Sequence, residues 1–480
     1  MQGPDGVGVI RAAPVGAAVR ATAGNRCAGM GRRAVLAFAA AGLLSACTDG
    51  SSPGSGRLRV SDAPSDVDAN EQLSLAGLKQ ILAQRLAALR AGDANGYLGR
   101  LDPANSALLT WQKRLLRNLP KFTFTQLDYR LPASESPMLE PDGSYHVDVV
   151  HVLQMDADGG PPGVVPGELY TYRLARRNGR WVILDITPGR SMYPDLTLDS
   201  CNAPWNLDDL EVAHSGKITV AAPGSMPGLQ HYADVAAQEA TEVARIWGDR
   251  TTFPGAVIFL APDAKAMGRW YRASRSGSAW SVADGLTMAF SRLGYKKDGD
   301  IYPYGESVAS RITVNLGHLT APGSTDTNTI PQVMRHELVH ALTSPSYSAS
   351  DHPPTWAIEG FARFLESGRL TSASAASVAS GVRAGWFTGA LPESKTFYGS
   401  STTTWSRAGF NYDLSASLFA FIASRKGTPA AVEFYAQAAQ LSEMGESVMA
   451  TPKMDSVSTA LTGLGSAQLL AKWSGYVRSL

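Results

Sequence analysis

An excess of charge of either sign is the first thing this chain lacks: 43 Lys and Arg stand against 42 Asp and Glu, a formal net charge of +1 over 480 residues. It has no basic run and no stripe of Arg interleaved with aromatics, so nucleic acid is not an expected partner. A phosphate-cradling Gly-Lys-Ser/Thr loop is also missing, which removes the usual nucleotide-binding signature. No repeat with a period of some 20 to 50 residues is evident. Cysteine is scarce, with only Cys27, Cys47 and Cys201, and histidine is limited to eight residues. What is present is ordinary for a globular protein, 44% hydrophobic and 18% charged, and the length calls for two domains or more.

The N-terminal apolar run AVLAFAAAGLLSA follows Arg32-Arg33 and is too short to span a bilayer as a mature helix. A charged pair, a short apolar stretch and small residues together make a secretory signal. The run closes in Leu44-Ser45-Ala46-Cys47, which resembles a bacterial lipobox. The resemblance implies cleavage before Cys47, lipidation of Cys47, and a mature protein anchored to the outer face of the cytoplasmic membrane. Residues 1–46 are then the lipoprotein signal peptide, and the Gly-, Ser-, Pro- and Asp-rich stretch 47–70 is a flexible tether. Either Met1 or Met30 can be the start, and the partial twin-arginine pattern leaves both Sec and Tat export open. Cys27 would leave with the signal and Cys47 would be acylated, so Cys201 stands alone and no intrachain disulfide is expected. Cys201 reads as a small buried hydrophobe.

Residues 71–190 read as a small α+β domain. LAGLKQILAQRLAALRAGD and SALLTWQKRLLRNL have helical periodicity, and KFTFTQLDYRL, YHVDVVHVLQM, ELYTYRLARR and RWVILDI read as strands. Asn178-Gly179 between the last two is the strongest short-range hairpin signal. This order of helices before a curved meander resembles the nuclear-transport-factor-like cone fold. It suggests a spacer or docking module, with His146 and His151 in surface or core packing.

A Pro- and Asp-rich passage separates this unit from residues 203–480. There, KITVAA, GAVIFLAP and SRITVNLG read as strands and HYADVAAQEATEVARIWG as a helix. Next comes MRHELVHALT, and beyond Tyr412 the pattern is helical to the end. Sheet first and helical lobe second is an α+β layout. His336 and His340 are four apart, so on a helix both point to one side, where they can share an ion. Glu337 sits beside them, placed to act on water rather than to replace a histidine. Catalytic zinc takes three protein ligands and leaves a fourth position for water. A glycine three and a histidine six past His340 would mark the metzincin pattern, but Thr343 and Ser346 stand there. Downstream, PPTWAIEGFARFLE places Glu359 in the first turn of a second helix, with eighteen residues between His340 and Glu359 (359 − 340 − 1).

HELVH followed at that spacing by WAIEGFARFLE resembles the gluzincin metallopeptidases, in particular the aminopeptidase-N-like branch with its Trp-x-x-Glu-Gly-Phe-Ala helix. The resemblance implies a zincin-like catalytic domain with a mixed sheet, an active-site helix and a C-terminal helical lobe. It also implies one zinc per chain on His336, His340 and Glu359, with Glu337 as general base and a peptide or protein as substrate. Glu366, seven past Glu359, matches the position of a carboxylate that orients a ligand histidine. Tyr412, 53 past Glu359 (412 − 359), matches a tyrosine that stabilises the oxyanion, with Tyr398 as a competitor. The Gly-x-Met-Glu-Asn strand that grips a substrate's α-amine is missing, and SRITVNLG, taken as its counterpart, has no acid. Asp326 and Asp351 are the substitutes considered. Internal cleavage is therefore expected over N-terminal trimming. The rival reading is a non-catalytic, zinc-bound envelope lipoprotein acting by partner binding.

Overall fold

The computed structural model describes residues 35–38, 72–132, 135–158, 167–188, 203–250, 255–270, 283–295, 301–320, 329–347, 353–398, 405–443 and 447–480. Cys27, Cys47, Cys201, Asp326 and Asp351 lie outside them. A short strand, β1 (Val35–Phe38), falls within the run read as the export signal. Helix α1 (Leu75–Arg90) starts where Ser74 accepts a hydrogen bond from the Gly77 amide. It is followed by Gly92 at φ +66°, a conformation costly for side-chain-bearing residues. Helices α2 (Ala94–Leu98) and α3 (Ser106–Asn118) follow, capped by Asp93 and Asn105. Strands β2 (Phe124–Arg130), β3 (Met138–Leu139), β4 (Tyr145–Met155), β5 (Gly167–Arg177) and β6 (Arg180–Pro188) form an antiparallel sheet ordered β2-β4-β5-β6, with β3 on β4. Asn178 and Gly179 both take positive φ, 51° and 75°, as the two-residue hairpin turn demands. His146 pairs with Glu140 at the surface, whereas His151 is buried among tyrosines.

The second unit begins with α4 (Pro204–Leu207), then β7 (Leu210–Ser215), β8 (Ile218–Pro223), α5 (Leu229–Trp247), β9 (Ala256–Ala261) and α6 (Ala264–Arg269). Two long strands, β10 (Gly285–Tyr295) and β11 (Ile301–Asn315), precede α7 (Leu316–Leu319), α8 (Ile330–Thr343) and α9 (Thr355–Leu365). The rest is helical: α10 (Ser372–Arg383), α11 (Ser394–Phe397), α12 (Trp405–Lys426), α13 (Thr428–Ala438), α14 (Pro452–Thr462) and α15 (Ser466–Ser479). The mixed sheet runs β1-β10-β11-β9-β8-β7. The α+β class stands. One expectation is corrected: SRITVNLG forms the end of β11 and lies between β10 and β9, so the strand beside the site is β10. A run with one acid-free apolar pattern cannot reveal which of two hairpin arms lies next to β9.

Strand β9 shows why the middle of the sheet reads as an unbroken apolar run. Ile258 and Leu260 pack into the core formed with α5, α8 and α9, while Val257, Phe259 and Ala261 face the first domain. Successive side chains alternate faces, and both faces are dry. Phe259 lies 5.4 Å from Trp205 and 6.4 Å from Phe122, ring centre to ring centre, so one aromatic cluster joins the two units. Through this shared core the first domain covers one face of the sheet. Arg311 of β11 and Asp158, just after β4, are 1% and 2% exposed and form an ion pair across the junction. Arg311 also donates to the Leu153 carbonyl at 3.2 Å. Asp158→Ala would remove the carboxylate paired with a buried guanidinium, so the expected loss is roughly 3–5 kcal/mol in equilibrium unfolding by denaturant. A loss within about 0.5 kcal/mol, the range of a surface substitution, would show that water compensates the pair.

Candidate metal centre

Helix α8 begins at a capping box, with Thr329 accepting from the Gln332 amide and Gln332 reaching back to Thr329, and with Pro331 in the first turn. From Val333 to Thr343 every residue but Arg335 is buried, so both histidines point into the protein. The rings of His336 and His340 lie 4.7 Å apart. Helix α9 brings Glu359 to them: its Oε2 is 3.3 Å from His336 Nε2 and 3.4 Å from His340 Nε2. One donor atom from each of the three lies within 4.8 Å of the others, close enough to hold a single ion. All three are 0–1% exposed. Among the described residues neither ring nitrogen of His340 has a hydrogen-bond partner of good geometry, although Nε2 lies 3.4 Å from Glu359, and a buried imidazole left so poorly satisfied is costly. The donor set therefore fits a metal ion.

The electrostatics point the same way. Burial works against charge on His336, but Glu359 and Glu366 outweigh it and raise its pKa to about 10. Glu359 is buried too, and His340 and His336 pull its pKa down to about 2. Burial lowers the pKa of His340. A proton on His336 and the negative charge of Glu359 thus stabilise each other, and a metal cation would replace that proton.

Groups around the triad hold it in register. Glu366 accepts from His336 Nδ1 at 2.8 Å, leaving Nε2 facing Glu359. Arg363 pairs with Glu366 and, through Nε, with Asp413 at 2.9 Å. Tyr398, at the end of α11, donates to Glu359 Oε1 at 2.6 Å. Tyr412, in the second turn of α12, is buried with its ring 6.2 Å from that of His336, and its hydroxyl has no hydrogen-bond partner among the described residues. The two tyrosines thus differ: Tyr398 donates to Glu359 in good geometry, whereas Tyr412 makes no such bond among the described residues. Gly360 allows the approach of α12, since a Cβ there would sit 2.5 Å from the Ser415 Cβ.

Glu337 faces β10. Thr287 donates to its Oε2 at 2.7 Å, while Oε1 has no partner among the described residues. Gly285 is pressed so close that a Cβ would come within 2.5 Å of Oε1. Burial raises the Glu337 pKa to about 8, with His336 and Thr287 opposing and Glu359 and Asp284 adding. The structure thus brings His336, His340, Glu359, Glu337, Glu366 and Tyr412 to one place. Sequence reasoning missed Thr287, Arg363 and Asp413. Only Arg363 left a trace, lying four past Glu359 and three before Glu366 on one helix. No protein-family model matches the chain, and no curated protein matches it.

Proposed function

We propose that this chain is a zinc-dependent peptidase of the gluzincin kind, working outside the cytoplasmic membrane. The observation that carries the reading is a further carboxylate, Glu337, beside a buried donor set of two histidines and a glutamate and with one oxygen unpartnered. A purely structural ion has no use for such a group, which weighs against a non-catalytic role. Zinc on His336, His340 and Glu359 would supply a Lewis acid that polarises a peptide carbonyl and acidifies water. Glu337, with its pKa near neutrality, accepts the proton of the attacking water and passes it to the leaving amine. Thr287 holds the other oxygen of the carboxylate and so aims it. Glu366 fixes the His336 tautomer. In this reading the hydroxyl of Tyr412 donates to the oxyanion. Tyr412→Phe should keep metal and fold but lower turnover roughly a hundred- to a thousandfold in peptide hydrolysis. Wild-type turnover in that variant would move the donor elsewhere.

The strand that would pair with substrate is the start of β10, Gly285–Phe290, whose Gly285 and Thr287 lie against Glu337. It carries no acid to hold an α-ammonium, and the Asp284 carboxylate beside it is bonded to His318 at 2.6 Å. This supports internal cleavage of an extended chain bound by strand addition. Strand β1 occupies that edge in parallel, Val35 opposite Gly285. Processing before Cys47 would remove β1 and release the edge. Lipidation of Cys47 would hold the mature protein at the membrane, so Cys47→Ala should appear in the soluble fraction or remain unprocessed. A normally processed, membrane-retained variant would refute the anchor. The deciding experiment for the activity is hydrolysis of a mixed peptide library by zinc-loaded protein, with matched free and N-acetylated peptides. Cleavage of both supports an endopeptidase, loss on acetylation means an aminopeptidase, and no cleavage at all removes the proposal.

A further inference from the structure

Glu366 stands at the C-terminal cap of α9, where a side chain with three rotatable bonds is not aimed by its own helix. Its Oε1 accepts from His336 Nδ1 at 2.8 Å, and its Oε2 accepts from Arg363 Nη1, three residues earlier. Arg363 is itself engaged at all three of its nitrogens. Nε donates to Asp413 Oδ1 of α12 at 2.9 Å, and Nη2 reaches Ser374 Oγ of α10 at 3.5 Å. One guanidinium therefore joins α9, α10 and α12, and its plane is set by groups on three helices. Glu366, Arg363 and Asp413 are 7%, 9% and 1% exposed, so water contributes little to holding them.

Charge distinguishes this trio from a simple clasp. Glu366 and Arg363 alone would make a neutral pair, and the ion pairs of the described residues add Asp413 as a third member. Arg335, which donates to the Glu366 carbonyl at 3.4 Å, has its own carboxylate in Glu239. The trio thus carries one excess negative charge in a dry interior, which is costly unless a cation lies close. The His336 ring leads to such a place, because its Nδ1 is bonded to Glu366 and its Nε2 faces Glu359. By taking Arg363 Nε, Asp413 shares the guanidinium charge and leaves Glu366 a stronger acceptor. A histidine held by a strong acceptor is the better metal ligand.

We propose that Arg363 and Asp413 are positioning residues for the metal ligand His336. Arg363 aims the Glu366 carboxylate at Nδ1, and Asp413 fixes Arg363 while keeping the trio net negative. This role presupposes the zinc centre proposed for His336, His340 and Glu359. It adds two residues that touch neither the ion nor the substrate.

The test is the zinc affinity of the full chain, measured without substrate by competition with a chromophoric chelator. Asp413→Asn keeps the shape and an acceptor for Arg363 Nε but removes the charge. It should bind zinc about 10-fold more weakly, the lower end for outer partners of a metal ligand. Arg363→Lys keeps the charge but loses the fork that serves both carboxylates, and should cost about 10- to 100-fold. In a Glu366→Gln background Asp413→Asn should add no further loss, since its route to His336 is already cut. Unchanged zinc affinity in Asp413→Asn, whatever its thermal midpoint, would make the trio a structural clasp and overturn the proposal. An equal, additive loss in the Glu366→Gln background would overturn the route through Glu366. If Asp413→Asn does not fold, unchanged affinity in Arg363→Lys decides against the role, and failure of both to fold does the same. The expected losses support these roles even where the wild type hydrolyses no peptide, a result that removes only the peptidase reading. A wild type that binds no zinc overturns both.

Discussion

Glu337→Gln should leave the metal content and the fold unchanged and lower peptide hydrolysis by roughly a hundred- to ten-thousandfold, the range for removing a general acid–base group. Gln has the shape of Glu, so Gly285 and Thr287 still pack against it, and it cannot accept the proton from water. The variant also removes a carboxylate whose pKa burial raises to about 8, so its thermal midpoint should not fall. Metal analysis, thermal unfolding and turnover on one preparation separate these effects. Near-wild-type turnover would mean that another residue is the base or that the chemistry is not hydrolysis.

His340→Ala should bring the metal content from about one per chain to background, because two of three donors do not hold a catalytic zinc against competing water. The same is expected of His336→Ala and Glu359→Ala, with activity lost in each. Glu366→Gln is the informative contrast. It touches no ion but weakens the acceptor on His336 Nδ1, so metal affinity should fall about 10- to 100-fold while saturating zinc restores activity. If His340→Ala keeps a full complement of metal, the ion is held elsewhere and the triad is a buried polar network.

Much of this molecule was legible before any coordinates. The helix carrying His336 and His340 was readable from i, i+4 spacing and apolar flanks, and the Asn178-Gly179 hairpin from turn chemistry. The strands β8, β9 and β11 stood out as short apolar runs. These are local properties: periodicity and capping depend on residues a few positions apart. The helix pair was also within reach, since eighteen residues suffice to reverse direction between His340 and Glu359.

What tertiary structure alone decided is the set of non-local choices. Either arm of the β10–β11 hairpin could lie next to β9, and the parallel pairing of β11 with β9 put β10 at the site. Tyr398 and Tyr412 are rivals on the chain; the packing of α11 on α9 brings Tyr398 to Glu359, and α12 sets Tyr412 beside His336. Nothing in the pattern of the first domain, which reads as a spacer or docking module, reveals that β9 buries its second face against it. In each case the outcome depends on which distant surfaces meet, and the energies of burial and unpaired charge that settle it appear only once they have met.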